Sequence, residues 1–321
     1  MLLYRLALKV GYFKRAQSIK KQKKGKELYF LSKNEITHQR ISAFQLSAFG
    51  RIAIDTEQVP NWIRSVSSDE KLDNNNMHWS EFNEFKLNVG DIKTLWELSR
   101  FDWLLNFAVH HRASKDEKWL IKSNEWLNDW LYNNPINQGV NWRCGQEASI
   151  RVMHLIATHL LLQDKAPPAL TKLIMHHLER IAPTRFYAMA QDNNHGTSEA
   201  CALFIGGCFL QAFAEDNSQK QATRWQSQGR YWLENRVKKL IGKDGCFSQY
   251  SSNYHRVMLD TISFAEQCRR HFNQASFSNQ FYHQAQQATI WLATITDEDT
   301  GDVPNLGPND GARLFPITDT D

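Results

Sequence analysis

The sequence lacks most of the short signatures that announce a chemistry. Its five cysteines, Cys144, Cys201, Cys208, Cys246 and Cys268, form no CxxC pair, and their odd number argues against a disulfide framework, so they read as reduced core residues. No HExxH helix occurs. His110-His111 and His176-His177 are adjacent pairs that splay around a helix, and His154 and His159 lie five apart, so no metal site is expected. A glycine-rich phosphate loop is also missing, and nothing calls for a cofactor. Charge of one sign is scarce: the formal +4 is too small for a dedicated nucleic-acid binder. Much of that excess lies in the first 26 residues, at Arg5, Lys9, Lys14, Arg15, Lys20, Lys21, Lys23, Lys24 and Lys26, which read as a basic, solvated arm. The apolar opening MLLYRLALKVGYF is interrupted by Arg5 and Lys9 and followed by no small-residue cleavage site. It therefore fails as a secretory signal and as an integral membrane segment, and the sequence as written carries no export signal.

What is present is a core and a surplus of rings. Hydrophobic residues at 42% and charged residues at 22% are near globular averages, enough for one large domain or two ordinary ones. Eleven Trp, eighteen Phe and nine Tyr exceed what a minimal core needs, and such rings line sugar-binding clefts as well as cores. Residues 1–90 form a basic, mixed lead-in without a dominant period. From about residue 91 the period becomes helical, with Leu95, Trp96, Leu98, Phe101, Trp103, Leu104 and Phe107, then Trp119 to Leu131 ended by Asn133-Asn134-Pro135. The layout repeats at 146–162 with 169–181, at 196–214 with 218–240, and at 254–272 with 278–296. Leading helices thus start near 95, 146, 196 and 254, a spacing of roughly fifty residues that fits helical hairpins in series. Such a series stacks as an open solenoid or curves into an α/α toroid.

Four stretches stand out. In Asp192-Asn193-Asn194-His195-Gly196-Thr197-Ser198-Glu199 the simplest reading is a helix N-cap, but a cap does not explain the adjacent histidine. Asn with His supplies an amide donor for a carboxylate and a group that titrates near neutrality. Ser251-Ser252-Asn253-Tyr254-His255 puts a Tyr-His pair at the next leading helix. Asn141-Trp142-Arg143 is followed by Glu147 and Arg151, four apart and most simply an intrahelical ion pair. Gly307-Pro308-Asn309-Asp310-Gly311-Ala312-Arg313 is a turn-rich run after the last helix. If the leading helices point the same way, their starts share one rim, where free N–H donors favour anions.

In this order and at these separations the four stretches resemble the heparinase II/III-like and related alginate lyase families of polysaccharide lyases, over about residues 90–317. Asn-Asn-His followed some sixty residues later by Tyr-His is the most specific part. The resemblance implies an all-α fold, an incomplete (α/α) toroid of antiparallel helical hairpins over 91–300, with 301–321 leading toward a β-sandwich domain that the sequence does not contain, so that the chain reads as part of a larger enzyme. It implies β-elimination on a uronic acid-containing anionic polysaccharide such as alginate or a glycosaminoglycan; the chain as written reads as cytoplasmic, whereas the resemblance admits the periplasm or cell envelope. Asn194 would then bind the uronate carboxylate, and Tyr254 would protonate the leaving oxygen and, for one sugar epimer, also take the C5 proton. His195 would be the base or a second carboxylate contact. Trp142, Arg143, Glu147, Arg151 and His255 would contact substrate, Trp142 as a stacking face, with Trp96 or Trp103 beside it. A basic role for Tyr254 would need a cationic neighbour, for which Arg151, His255 and Arg256 are available.

Two other readings use the same residues. A glycoside hydrolase on this fold would need two carboxylates, from among Glu147, Glu199, Asp192 and Asp244. A non-catalytic helical scaffold would bind a glycan or a protein in surface polysaccharide assembly.

Overall fold

The computed structural model describes residues 1–22, 28–31, 45–83, 87–162 and 165–315. Lys23, Lys24 and Lys26 of the basic opening and residues 316–321 of the closing segment lie outside the described residues. The chain divides into two units, Met1–Arg180 and a second beginning at Ile181.

The first unit opens with α1 (Leu2–Lys9) and α2 (Tyr12–Ala16), followed by a small antiparallel ribbon of β1 (Ser47–Ala48) and β2 (Ile52–Ala53) in which Ser47 faces Ala53. α1 buries no residue, and Arg5, Lys9, Lys14, Arg15, Lys20 and Lys21 are exposed as expected of a solvated arm, but the segment also touches the rest of the unit. Phe13 is buried with its ring 5.2 Å from that of Trp79, and Lys14 and Lys20 pair with Glu81 and Glu179 at 2.7 and 3.2 Å. Helices then dominate: α3 (Lys93–Trp96), α4 (Asp102–Ser114), α5 (Lys118–Asn133), α6 (Gly145–Leu162) and α7 (Pro168–Ile181). The helix expected from residue 95 is broken before α4. Arg100 turns inward to Glu97 and Glu147, and the buried Phe101 takes φ +71° so that its ring meets those of Trp103 and Trp130. A left-handed aromatic residue costs on the order of 1–3 kcal/mol, which burial of the ring offsets.

The second unit holds α8 (Arg185–Met189), α9 (Asn194–Phe213), α10 (Gln219–Leu240), α11 (Ser252–His271) and α12 (Asn279–Ile295). Five residues join α9 to α10 and seven join α11 to α12, lengths that suit antiparallel helical pairs. In α9 every residue from Gly196 to Leu210 is buried, so this helix is covered on all its faces, with α10 and α11 both packed against it. Its outer partner α10 is polar over much of its length and buries one stripe, including Ala222, Trp225, Gly229, Leu233 and Val237. The expected all-α architecture of hairpins is what the structure shows. Among the described residues no helix is long and apolar enough to cross a membrane.

Candidate active site

The start of α9 is fixed from three directions. Asp192, at φ +52°, receives Arg236 and Lys239 of α10 at 2.9 and 2.7 Å, and the Lys239 hydrogen bond in first place holds its carboxyl below the usual range. Asn193 caps the helix, its Oδ1 accepting from the His195 N–H at 3.0 Å. The Gln249 Oε1 accepts from the Asn194 N–H at 2.8 Å, and the Ser248 hydroxyl donates to the Asp192 carbonyl at 3.0 Å. These last two bonds tie the loop that leads into α11 to the first turn of α9. Asn194 in α9 and Tyr254 in α11 therefore stand in first turns whose lead-in loops touch.

Asn194 is only 5% exposed, yet its side-chain amide makes no hydrogen bond among the described residues. Its amide atoms are not among the fully buried unpartnered ones, so they reach solvent with donor and acceptor capacity unused by the described residues. His195 beside it is half-buried.

At α11, Ser251 caps the helix through Tyr254 N at 3.1 Å, and the closing loop lies over the same turn. The Ser252 N–H donates to the Leu306 carbonyl and the Ser251 hydroxyl to the Pro308 carbonyl, at 3.1 and 2.6 Å. Gly307, at φ +67°, lets the loop approach this closely, since a Cβ there would stand 2.1 Å from the Tyr250 carbonyl oxygen. Asp310 follows, and its Oδ2 accepts a 2.6 Å hydrogen bond from the Tyr254 hydroxyl. Its Oδ1 receives the Ala312 N–H at 3.2 Å and lies 3.5 Å from Asn253 Nδ2.

Several expectations change. The N–H groups of Asn194, His195, Tyr254 and Ser252 are occupied by Gln249, Asn193, Ser251 and Leu306, so these groups are not the free donors expected at the two helix starts. The Tyr254 hydroxyl meets the Asp310 carboxylate, and the side chains of His255 and Arg256, named as cations for a basic role, turn elsewhere. Arg256 is exposed and acts on Asp260, while His255 is buried, turned to the Ala288 carbonyl at 2.8 Å and stacked on Trp291. Burial holds His255 below the ordinary imidazole value, and it is a packing residue rather than a substrate contact.

Of the proposed contacts from the first unit, all but Arg143 are interior. Trp142 is fully buried, with Nε1 donating to the Asn134 carbonyl at 3.0 Å, so it offers no face to a sugar. Trp96 and Trp103 are buried as well, bonded to the carbonyls of Val140 and Leu98. Glu147 and Arg151 do not form the expected intrahelical pair. Glu147 receives two bonds from Arg100, at 2.8 and 3.1 Å. Arg151 is enclosed by the rings of Trp130 and Trp142 and donates to His177 Nε2 and the Ser99 and Asn141 carbonyls; burial pulls its guanidinium down to about 9. Arg143 is half-buried and donates to the Tyr4 hydroxyl at 3.2 Å. Gln249 and Asp310 were not among the expected site residues. Asp310 was visible within the closing Gly-Pro-Asn-Asp-Gly run, whereas nothing local marks Gln249.

A family model described as Heparinase II/III N-terminus matches residues 12–308. A heparin-sulfate lyase of Pedobacter heparinus is 28% identical over 182 residues, covering 54% of this chain and 26% of that protein. One from Bacteroides thetaiotaomicron is 26% identical over 167 residues, covering 50% and 23%. The chain thus spans about a quarter of the length of these curated relatives. A crystal structure of heparinase III superposes with a TM-score of 0.53 at 18% identity, over 85% of this chain and 44% of that one, and shares the helical fold. With 297 of its 321 residues inside the family match, the chain belongs to the heparinase II/III family.

Proposed function

We propose that this chain is the helical part of a polysaccharide lyase that cleaves a uronic acid-containing anionic polysaccharide by β-elimination. The observation that carries the reading is the pairing of an unengaged, nearly buried Asn194 amide with the Tyr254 hydroxyl, in two first turns joined through Gln249. Abstraction of the uronate C5 proton pushes negative charge onto the neighbouring carboxylate, so a fixed neutral donor at that carboxylate lowers the barrier where charge develops. Asn194 has the chemistry for this, and Tyr254 has a proton for the leaving glycosidic oxygen. His195 stands next to Asn194 as the base or a second carboxylate contact. The names of the curated relatives, heparin-sulfate lyases, make a heparan-type glycosaminoglycan the first substrate to try.

The test is formation of the conjugated unsaturated uronate, followed by its absorbance, with the full-length gene product acting on heparan sulfate and on other uronate polymers. Hydrolysis or simple binding creates no such double bond. Tyr254→Phe should reduce turnover by roughly a hundredfold or more, as loss of a positioned acid does. Asn194→Ala should also act mainly on kcat, because its contact strengthens in the transition state. Near-normal product from Tyr254→Phe removes the assignment.

A further inference from the structure

We infer that Asp310 is a positioning residue for Tyr254, and that the closing loop 304–312 thereby belongs to the active site and commits this tyrosine to the role of acid. The inference rests on the lyase reading for its chemistry, but its physical basis is separate.

The loop is held on the first turn of α11 by its backbone, through Leu306 and Pro308, and Gly307 makes the close approach possible. That geometry delivers one carboxylate to one hydroxyl, at 2.6 Å, while the Ala312 N–H holds the other carboxylate oxygen. A phenol that donates to a carboxylate is stabilised in its neutral form twice over. The hydrogen bond exists only while the proton is present, and the neighbouring negative charge opposes phenolate. Tyr254 so held cannot supply a base near neutral pH, but its hydroxyl is oriented and protonated, as an acid requires. In the elimination the C5–H and C4–O bonds break and the C4=C5 double bond forms. The C5 proton passes to a second group, for which His195 is the candidate, the leaving oxygen takes the Tyr254 proton, and the phenolate regains a proton from water.

Other charged or titratable groups stand on the elements packed around α11. They include His255, Arg256, Asp260, Glu266, Arg269, Arg270 and His271 on α11 itself, His195 and Glu199 on α9, Tyr282 and His283 on α12, and Arg313 just beyond the closing loop. All are common to wild type and an Asp310 variant, so a difference between those two proteins isolates the carboxylate.

The experiment has two arms. In the first, tyrosine ionisation is followed by phenolate absorbance, with Tyr254 identified by subtracting the titration of Tyr254→Phe. Asp310→Asn keeps an acceptor oxygen and removes the charge, and should lower the Tyr254 ionisation by about one pH unit or more, while Asp310→Glu should restore it. An unchanged Tyr254 titration in Asp310→Asn overturns the inference, whether or not the protein turns over substrate. In the second arm, the alkaline limb of the kcat profile on a uronate polymer should move to lower pH in Asp310→Asn with KM little changed. A variant that loses activity without moving that limb assigns Asp310 a merely structural role and overturns the inference. If Tyr254→Phe keeps full turnover while the titration shift is present, the lyase assignment of Tyr254 fails and the Asp310–Tyr254 coupling stands.

Discussion

Trp142 shows how a residue type can be right for one role and its position right for another. Its ring lies 5.8 Å from that of Trp130 and 4.7 Å from that of His177, with the Arg151 guanidinium 5.5 Å away. Trp142→Ala should therefore cost roughly 3–5 kcal/mol of stability, the range for removing a large buried ring, and urea melts will read it. Affinity for an acidic oligosaccharide, measured on the fraction that stays folded, should not fall. A stable variant with weakened sugar binding would restore the stacking role. The sequence shows an aromatic beside Arg and Glu, a pattern that suits a sugar cleft and a buried cation cage equally. Which of the two forms depends on side chains such as His177 and Asn134, distant or unremarkable in sequence. At the start of α9 the sequence offers a cap, which the structure places on Asn193, and the cap leaves the adjacent His195 unexplained. Asp310 was legible only as part of a turn, because its partner lies 56 residues away.

Among the elements, the four hairpins were readable because helices with a buried stripe repeat their apolar residues at helical spacing, and Pro or Asn-rich turns separate them. The break before α4 was not, since Phe101 and Arg100 fit a continuous helical pattern and only long-range partners pull them out of it. Nor was the closeness of α9 and α10. Gly207 of α9 faces the backbone of Gln226, and Gly229 of α10 faces that of Phe204, where an added Cβ would come within 2.4 and 2.2 Å. Both are buried against backbone, which has no rotamer to yield. Gly229→Ala raises helix propensity, which on an exposed helix would stabilise by up to about 1 kcal/mol. Here overpacking should win, and the net effect should be a loss of about 1–3 kcal/mol as the helices are forced apart. Thermal melts of wild type and variant will give the sign; an increase in Tm would mean that the crossing is looser than these distances require.

At the scale of the whole molecule, stability should fall on the acid side of neutrality, for a reason that can be isolated. His177 is buried with both ring nitrogens engaged: Nε2 accepts from Arg151 Nε at 2.9 Å, and Nδ1–H donates to the Leu173 carbonyl at 2.8 Å. A second proton has no place, and burial first, then the Arg151 charge, keep this imidazole well below 6.5. His78 and His255 are lowered as well, chiefly by burial. A base with a depressed folded value stabilises the native state above its unfolded value, and that stabilisation is lost as pH falls below about 6.5, because the unfolded chain takes up the proton. Buried carboxyls work the other way: burial raises Asp102 to about 7 and Asp260 to about 6, so their effect is to weaken the fold as pH rises from about 4 toward 7. The two trends overlap, and a pH scan of wild type alone would show their difference. His177→Gln separates them, since the carboxyls are unchanged. Between pH 6.5 and 5 the wild type should lose about 1.6 kcal/mol through His177 that the variant does not lose, the slope rising from half toward the full 1.36 kcal/mol per pH unit as the unfolded imidazole protonates. Tryptophan fluorescence is the suitable probe, because eight of the eleven tryptophans lie in the first unit, with Trp130 and Trp142 against His177 itself. The variant will be less stable at every pH. If its free energy nevertheless changes between pH 6.5 and 5 by the same amount as that of the wild type, His177 takes up a proton in the native state and the cage around Arg151 is more open than its hydrogen bonds indicate.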